Sequence, residues 1–193
     1  MKRFFFITAI LLLTYPVIAL AQVNVLVVYH SETGNTKTMA AAVAGGAGSV
    51  EGTTVILKTT AVTLEEDLLN ADAIIVGSPV YNANLSPEVQ QFIASWPFEE
   101  APLKNKIGAA FVTAGGISAG EEIVQMNILQ SMLVFGMVVV GGPDWTQPFG
   151  ASAITGEHPF ESESPGEIDE QFLTKGSELG RRVAEIAKIM FSD

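Results

Sequence analysis

A single α/β domain on a five-stranded parallel sheet of order 2-1-3-4-5, a three-layer sandwich, is the architecture this sequence predicts. Three observations predict it. Short apolar runs alternate with amphipathic helical stretches from residue 22 onward. The runs are continuous in apolar residues, as in strands covered on both faces. The 193 residues suit one full core, and no internal repeat or second domain breaks the pattern.

Val23 to Tyr29 is a β-branched run and forms the first strand. An alanine-rich helix follows over Thr36 to Ala44 and stops at Gly45-Gly46. Thr54 to Thr59 is the second strand. Thr63 and Glu66 have capping-box spacing and open a short helix to Asn70. Ala73 to Gly77 is the third strand. Ser86-Pro87-Glu88 starts a helix to about Ser95, with proline at its first position. Ile107 to Val112 is the fourth strand, Glu121 to Phe135 a long helix, and Met137 to Val140 the fifth strand. Residues 142 to 166 are rich in Gly, Pro and Ser and read as one long loop. Ile168 to Phe191 closes the chain as a helix with Phe172, Leu179, Val183 and Ile186 on one face. Right-handed crossovers bring the loops after strands one, three and four to one sheet edge, where ligands bind in such folds.

Residues 1–21 read differently from the domain at 22–193. Lys2-Arg3 precede an apolar run, and Ala19-Leu20-Ala21 is a small-x-small cleavage site, the anatomy of a secretory signal peptide. The alternative is an uncleaved membrane anchor, since the run is near the lower length limit for a span. The expected location is exported, periplasmic or secreted, with a membrane association only if the segment stays. Loss of Lys2 and Arg3 takes the formal charge from −11 to −13. Such acidity disfavours nucleic acid and suits either a soluble surface or a basic protein partner. The chain has no cysteine, which excludes disulfides, thiolate metal sites and cysteine nucleophiles.

The chemistry sits in three loops. Ser31, Thr33, Gly34, Asn35 and Thr36 join the first strand to the first helix. Backbone N–H groups and the dipole at a helix start favour an anion, and the hydroxyls add donors. The loop has no Gly-Lys-Ser/Thr and no G-x-G-x-x-G, so it fits neither a P-loop nor a dinucleotide site. A phosphate monoester suits it best; the plain alternative is a polar turn with an ordinary cap. Ser78, Pro79, Val80, Tyr81 and Asn82 follow the third strand and offer an apolar wall, a stacking ring and an amide. Thr113, Ala114, Gly115 and Gly116 follow the fourth, where small residues allow close backbone approach. Either could also be a turn without a ligand. His30 and His158 read as loop residues, and neither a catalytic acid–base pair nor a metal site is expected. Trp96 and Trp145 are either partly buried or placed to cover a ligand.

Val27-Val28-Tyr29-His30-Ser31-Glu32-Thr33-Gly34-Asn35-Thr36 resembles the opening of the flavodoxin family. Gly77-Ser78-Pro79-Val80-Tyr81, Ala119-Gly120-Glu121-Glu122, Gly136 to Gly141 and Pro148-Phe149-Gly150-Ala151-Ser152 resemble the WrbA-type NAD(P)H:quinone oxidoreductases and the NADPH-dependent FMN reductases of that superfamily. The resemblance implies a flavodoxin-like fold, FMN held by the three loops, NADH or NADPH and a quinone as substrates, and a homodimer or homotetramer. Two departures accompany it. Only Gly142 to Gln147 fill the place of a longer insertion, and Gly115, Gly116 and Ile117 stand where those quinone reductases often carry a histidine. Three functions share this fold: a quinone oxidoreductase, an electron carrier docking to a basic partner, and a binding protein without catalysis.

Overall fold

The computed structural model describes residues 22–161 and 164–191. The segment 1–21, read above as signal or anchor, lies outside the described residues. The elements are β1 (Val23–Tyr29), α1 (Asn35–Gly48), β2 (Thr53–Thr59), α2 (Glu65–Asn70), β3 (Ala73–Tyr81), β4 (Asn84–Leu85), α3 (Pro87–Ala94), β5 (Ile107–Ala114), α4 (Glu121–Val134), β6 (Val138–Val139), β7 (Ala151–Ile154) and α5 (Glu170–Phe191).

The sheet runs β2-β1-β3-β5-β6, all parallel, with β7 also parallel to β5. This is the predicted 2-1-3-4-5 order. Alternate β1 residues face opposite sides. Val23, Val25 and Val27 pack with α1 and α5, while Leu26 and Val28 pack with α2, α3 and α4. Both faces are dry, which is why β1 reads as a continuous apolar run.

The α1–α5 contact is close because glycines face backbone. A Cβ at Gly180 would overlap the carbonyl oxygen of Val43, and one at Gly46 would overlap that of Ser177. No side-chain rotation relieves either overlap.

The fifth strand is split. β6 pairs Ile107 and Gly108 at the start of β5, and β7 pairs Phe111 to Ala114 at its end. The expected loop over 142 to 166 therefore contains a strand. Ala151-Ser152-Ala153-Ile154 has little β-propensity of its own; pairing to β5 and burial of Ala151, Ala153 and Ile154 hold it extended. The insertion between the two pieces leans on α5, through Gln147 Nε2 to Glu178 Oε2 at 3.0 Å.

The third strand extends past Gly77 to Tyr81 and turns back into β4, pairing Val80 with Leu85 and Tyr81 with Asn84. Asn82 and Ala83 make the two-residue turn with φ of 51° and 59°. Asparagine tolerates the left-handed region; alanine there costs about 1–2 kcal/mol. Ala83→Gly is therefore expected to raise stability by about 1 kcal/mol, read from the urea midpoint at unchanged slope.

The capping box also moves. α2 starts at Glu65, and the Asp67 carboxylate accepts the Leu64 N–H at 2.8 Å. The Thr63 hydroxyl donates instead to the Thr59 carbonyl at 2.8 Å. Asp67 also takes Lys58 Nζ at 2.7 Å on each oxygen, so one carboxylate both caps α2 and ties it to β2. The hydrogen bond from Lys58, then that from Leu64, hold its pKa below the ordinary carboxylate value. A lowered folded-state pKa gives stability that is present above the unfolded-state pKa and lost as pH falls through the folded one. Asp67→Asn should cost about 1 kcal/mol at neutral pH, and the difference should vanish in acid melts.

Candidate functional site

The site is built from the start of α1. Gly34 precedes it with φ +98°, a conformation that favours glycine. α1 has no side-chain cap bond and no acidic residue in its first turn. α3, by contrast, is capped by Ser86 Oγ, which accepts the Val89 N–H at 3.3 Å, and α4 carries Glu121 and Glu122 in its first turn. The first-turn N–H groups of a helix have no intrahelical acceptor, so α1 presents a positive end with neither a side-chain cap nor a first-turn carboxylate. Ser31 Oγ accepts the Gly34 N–H at 3.1 Å and curls the loop around that end. Thr33 is exposed, and Ser31 and Asn35 are half-buried. This donor set fits a phosphate monoester.

The three predicted loops meet. The buried hydroxyls of Thr36 and Thr113 share a hydrogen bond at 2.8 Å, joining the first loop to the third. Pro79 pairs with Thr113 in the sheet, joining the second to the third. Pro79, Val80 and Tyr81 are half-buried, while Asn82 stands exposed at the hairpin tip. Burial first, then the Glu32 and Glu88 carboxylates, raise the Tyr81 phenol above its ordinary pKa, so it is neutral and can donate or stack. Ser78 is different: it is fully buried, and its hydroxyl donates to the Pro79 carbonyl and accepts the Ser86 N–H, so it serves the hairpin. Ala114 is buried, and its carbonyl accepts the Thr155 N–H at 3.0 Å. A Cβ at Gly115 would meet nothing within 4 Å, which leaves room for a flat ring beside the backbone.

A fourth segment, missed in the sequence, completes the edge. After β7 the chain crosses the start of α1. Asn35 donates to Thr155 Oγ1 at 3.2 Å and accepts the Gly166 N–H at 2.8 Å, and Thr38 donates to the Gly166 carbonyl at 2.7 Å. Glu157 accepts the Ile117 N–H at 2.6 Å and pins the third loop. Its sequence signal is the run of five small or apolar residues between Gly150 and Gly156, next to the Pro148 to Ser152 segment. His30, Glu32 and Glu88 also converge here, from spacings that show no pattern in the sequence.

The tryptophans lie elsewhere. Trp96 is 4% exposed and packs between Phe92 and Phe135, with ring centroids at 5.7 and 5.3 Å, so it is core. Trp145 sits on the insertion that leans on α5, 86% exposed. His158 is an exposed partner of Glu161 at 3.4 Å.

A family model described as NADPH-dependent FMN reductase matches residues 57–151. A flavodoxin of Aquifex aeolicus is 37% identical over 172 residues, covering 84% of this chain and 85% of that protein. An NAD(P)H dehydrogenase (quinone) of Acidovorax ebreus is 32% identical over 203 residues, covering 87% of this chain and 98% of that one. Among solved structures, a flavodoxin, WrbA-like protein from Agrobacterium tumefaciens shares the fold with TM-score 0.70 at 24% identity, covering 87% of this chain and 99% of that one. A flavodoxin from the domain Archaea does so with TM-score 0.64 at 26% identity, covering 86% and 99%. With the carboxyl-edge loops, the anion-ready helix start and these end-to-end likenesses together, the chain belongs to the flavodoxin-like family of flavin-binding proteins.

Proposed function

We propose that this chain binds FMN and moves two electrons from NADH or NADPH to a quinone. The start of α1, with neither side-chain cap nor first-turn acid, is the observation that carries the cofactor. FAD and nicotinamide dinucleotides carry a diphosphate, whereas this short loop suits one terminal phosphate. When bound, FMN supplies the redox chemistry, and the protein supplies position and electrostatics. Ser31, Thr33, Gly34, Asn35 and Thr36 hold the phosphate. Pro79, Val80 and Tyr81 wall the ring, with Asn82 at the rim. Thr113, Ala114, Gly115 and Gly116 line the ribityl chain and the other ring edge, and Ser78 holds the hairpin that carries the wall. The enzyme reading draws support from relatives named NAD(P)H dehydrogenase (quinone), matched over 97–98% of their length.

A carrier function is the second reading. It is favoured by the flavodoxin relative at 37% identity and by the acidic body, at −13 without Lys2 and Arg3. A basic redox partner would then dock by charge. One experiment separates the two. The purified protein is loaded with FMN, and its visible absorption is followed. Bleaching by NADPH and recovery with a quinone are expected. Bleaching only in the presence of a reductase protein would assign the carrier instead, and failure to retain flavin would overturn both.

We further propose that residues 1–21 direct export to the periplasm or outside the cell. The short basic start, apolar run and Ala19-Leu20-Ala21 support it. N-terminal sequencing of the protein from its native host should begin at Gln22; a start at Met1 in a membrane fraction would mean an anchor.

A further inference from the structure

His30 follows β1 directly, Glu32 lies in the first loop, and Glu88 is in the first turn of α3. One ligand atom from each lies within 4.8 Å of the others. His30 Nε2 and Glu88 Oε2 are 3.4 Å apart. Both atoms are shielded from solvent, and neither makes a hydrogen bond within the protein. The two face each other at ion-pair distance without a hydrogen bond, so a cation held between them would supply the partner that each lacks. Ligands about 2.1 Å from a tetrahedral Zn²⁺ stand about 3.4 Å from one another. The observed separation is thus that of two corners of a metal's coordination shell. Among the described residues, neither Glu32 nor Glu88 pairs with a lysine or arginine. Two carboxylates and a neutral imidazole carry two negative charges, which a divalent cation cancels.

We propose that His30, Glu32 and Glu88 form a binding site for a single divalent transition-metal ion, with Zn²⁺ the ion that suits this donor set best. The His30 side chain is 18% exposed and that of Glu88 43%, so the site opens to solvent on the Glu88 side, where water completes the shell. Glu32 is exposed in the first loop, and its carboxylate also faces the Tyr81 phenol. Closure of Glu32 onto the ion would tie β1, the first loop and α3 together.

The protein is treated with a chelator, and ZnCl₂ is titrated by calorimetry with and without FMN. One equivalent of Zn²⁺ is expected to bind. His30→Gln and Glu88→Gln should each weaken it at least tenfold, while His158→Gln, on the exposed loop, should leave it unchanged. Zn²⁺ should also raise the melting temperature of the native protein and leave that of Glu88→Gln unmoved. Glu88 is on the surface of α3, whose Ser86 cap remains, so this variant decides the matter even if His30→Gln fails to fold. Absence of binding, or binding that survives Glu88→Gln, would overturn the assignment whatever the flavin content.

Discussion

Thr33→Asp is expected to weaken the proposed FMN binding by about a hundredfold and to leave the fold intact. Thr33 is exposed in the first loop, so the substitution buries nothing. A carboxylate beside a phosphate dianion costs about 3 kcal/mol at an intermediate effective dielectric, on the order of a hundredfold in affinity. The same carboxylate stands next to the positive start of α1, where it stabilises the cofactor-free helix by about 0.3–1 kcal/mol. The two effects have opposite signs, which separates lost binding from misfolding. The melting temperature of the flavin-free variant should be equal or higher, while quenching of FMN fluorescence on titration should disappear. Retained affinity would remove the Ser31 to Thr36 loop from the cofactor site. Thr33→Ser keeps the hydroxyl and should bind nearly as well as the native protein.

Gly180→Ala carries the largest expected cost in stability. The added methyl group meets the Val43 carbonyl oxygen, so α1 and α5 must move apart along their contact. Alanine favours a helix over glycine by about 1 kcal/mol, but overpacking against backbone exceeds that, and a net loss of about 3 kcal/mol is expected. For a domain of this size the melting temperature should fall by roughly 6–12 °C. Flavin affinity should fall with it, because the start of α1 is the proposed phosphate cradle. A melting temperature within a degree of the native protein would mean that the two helices are not locked as described.

Much of the fold could be read in advance because its signals are local. The continuous run Val23–Tyr29 is buried on both faces, and Ser86-Pro87-Glu88 announces α3 by cap and proline. The places where reading and structure part are those where a distant partner decides. Ser78-Pro79 reads as a turn, yet β3 runs through it because Pro79 pairs with Thr113 and the chain turns only at Asn82-Ala83. Ala151–Ile154 is a strand because β5 offers it a free edge. Thr63 looks like a cap, but Asp67 takes the role because it also meets Lys58. The site divides in the same way. The loop proposed to hold the phosphate is contiguous and legible. The Thr36–Thr113 bond spans 77 residues, and the Asn35–Gly166 bond spans 131, so neither leaves a trace in spacing.

The divided fifth strand bears on how this acidic protein behaves in a crowd. The outer margin of a sheet is a row of unpaired peptide groups, on which another molecule can build a strand. On the side opposite β2 that margin is two residues of β6 and four of β7, separated by an insertion folded back on α5. Neither piece is long enough to template a stable intermolecular ladder. Joining them, by deleting residues 141–149, would give this side of the sheet an uninterrupted rim as well, and the altered protein should form fibrils or precipitate sooner on heating than the native one.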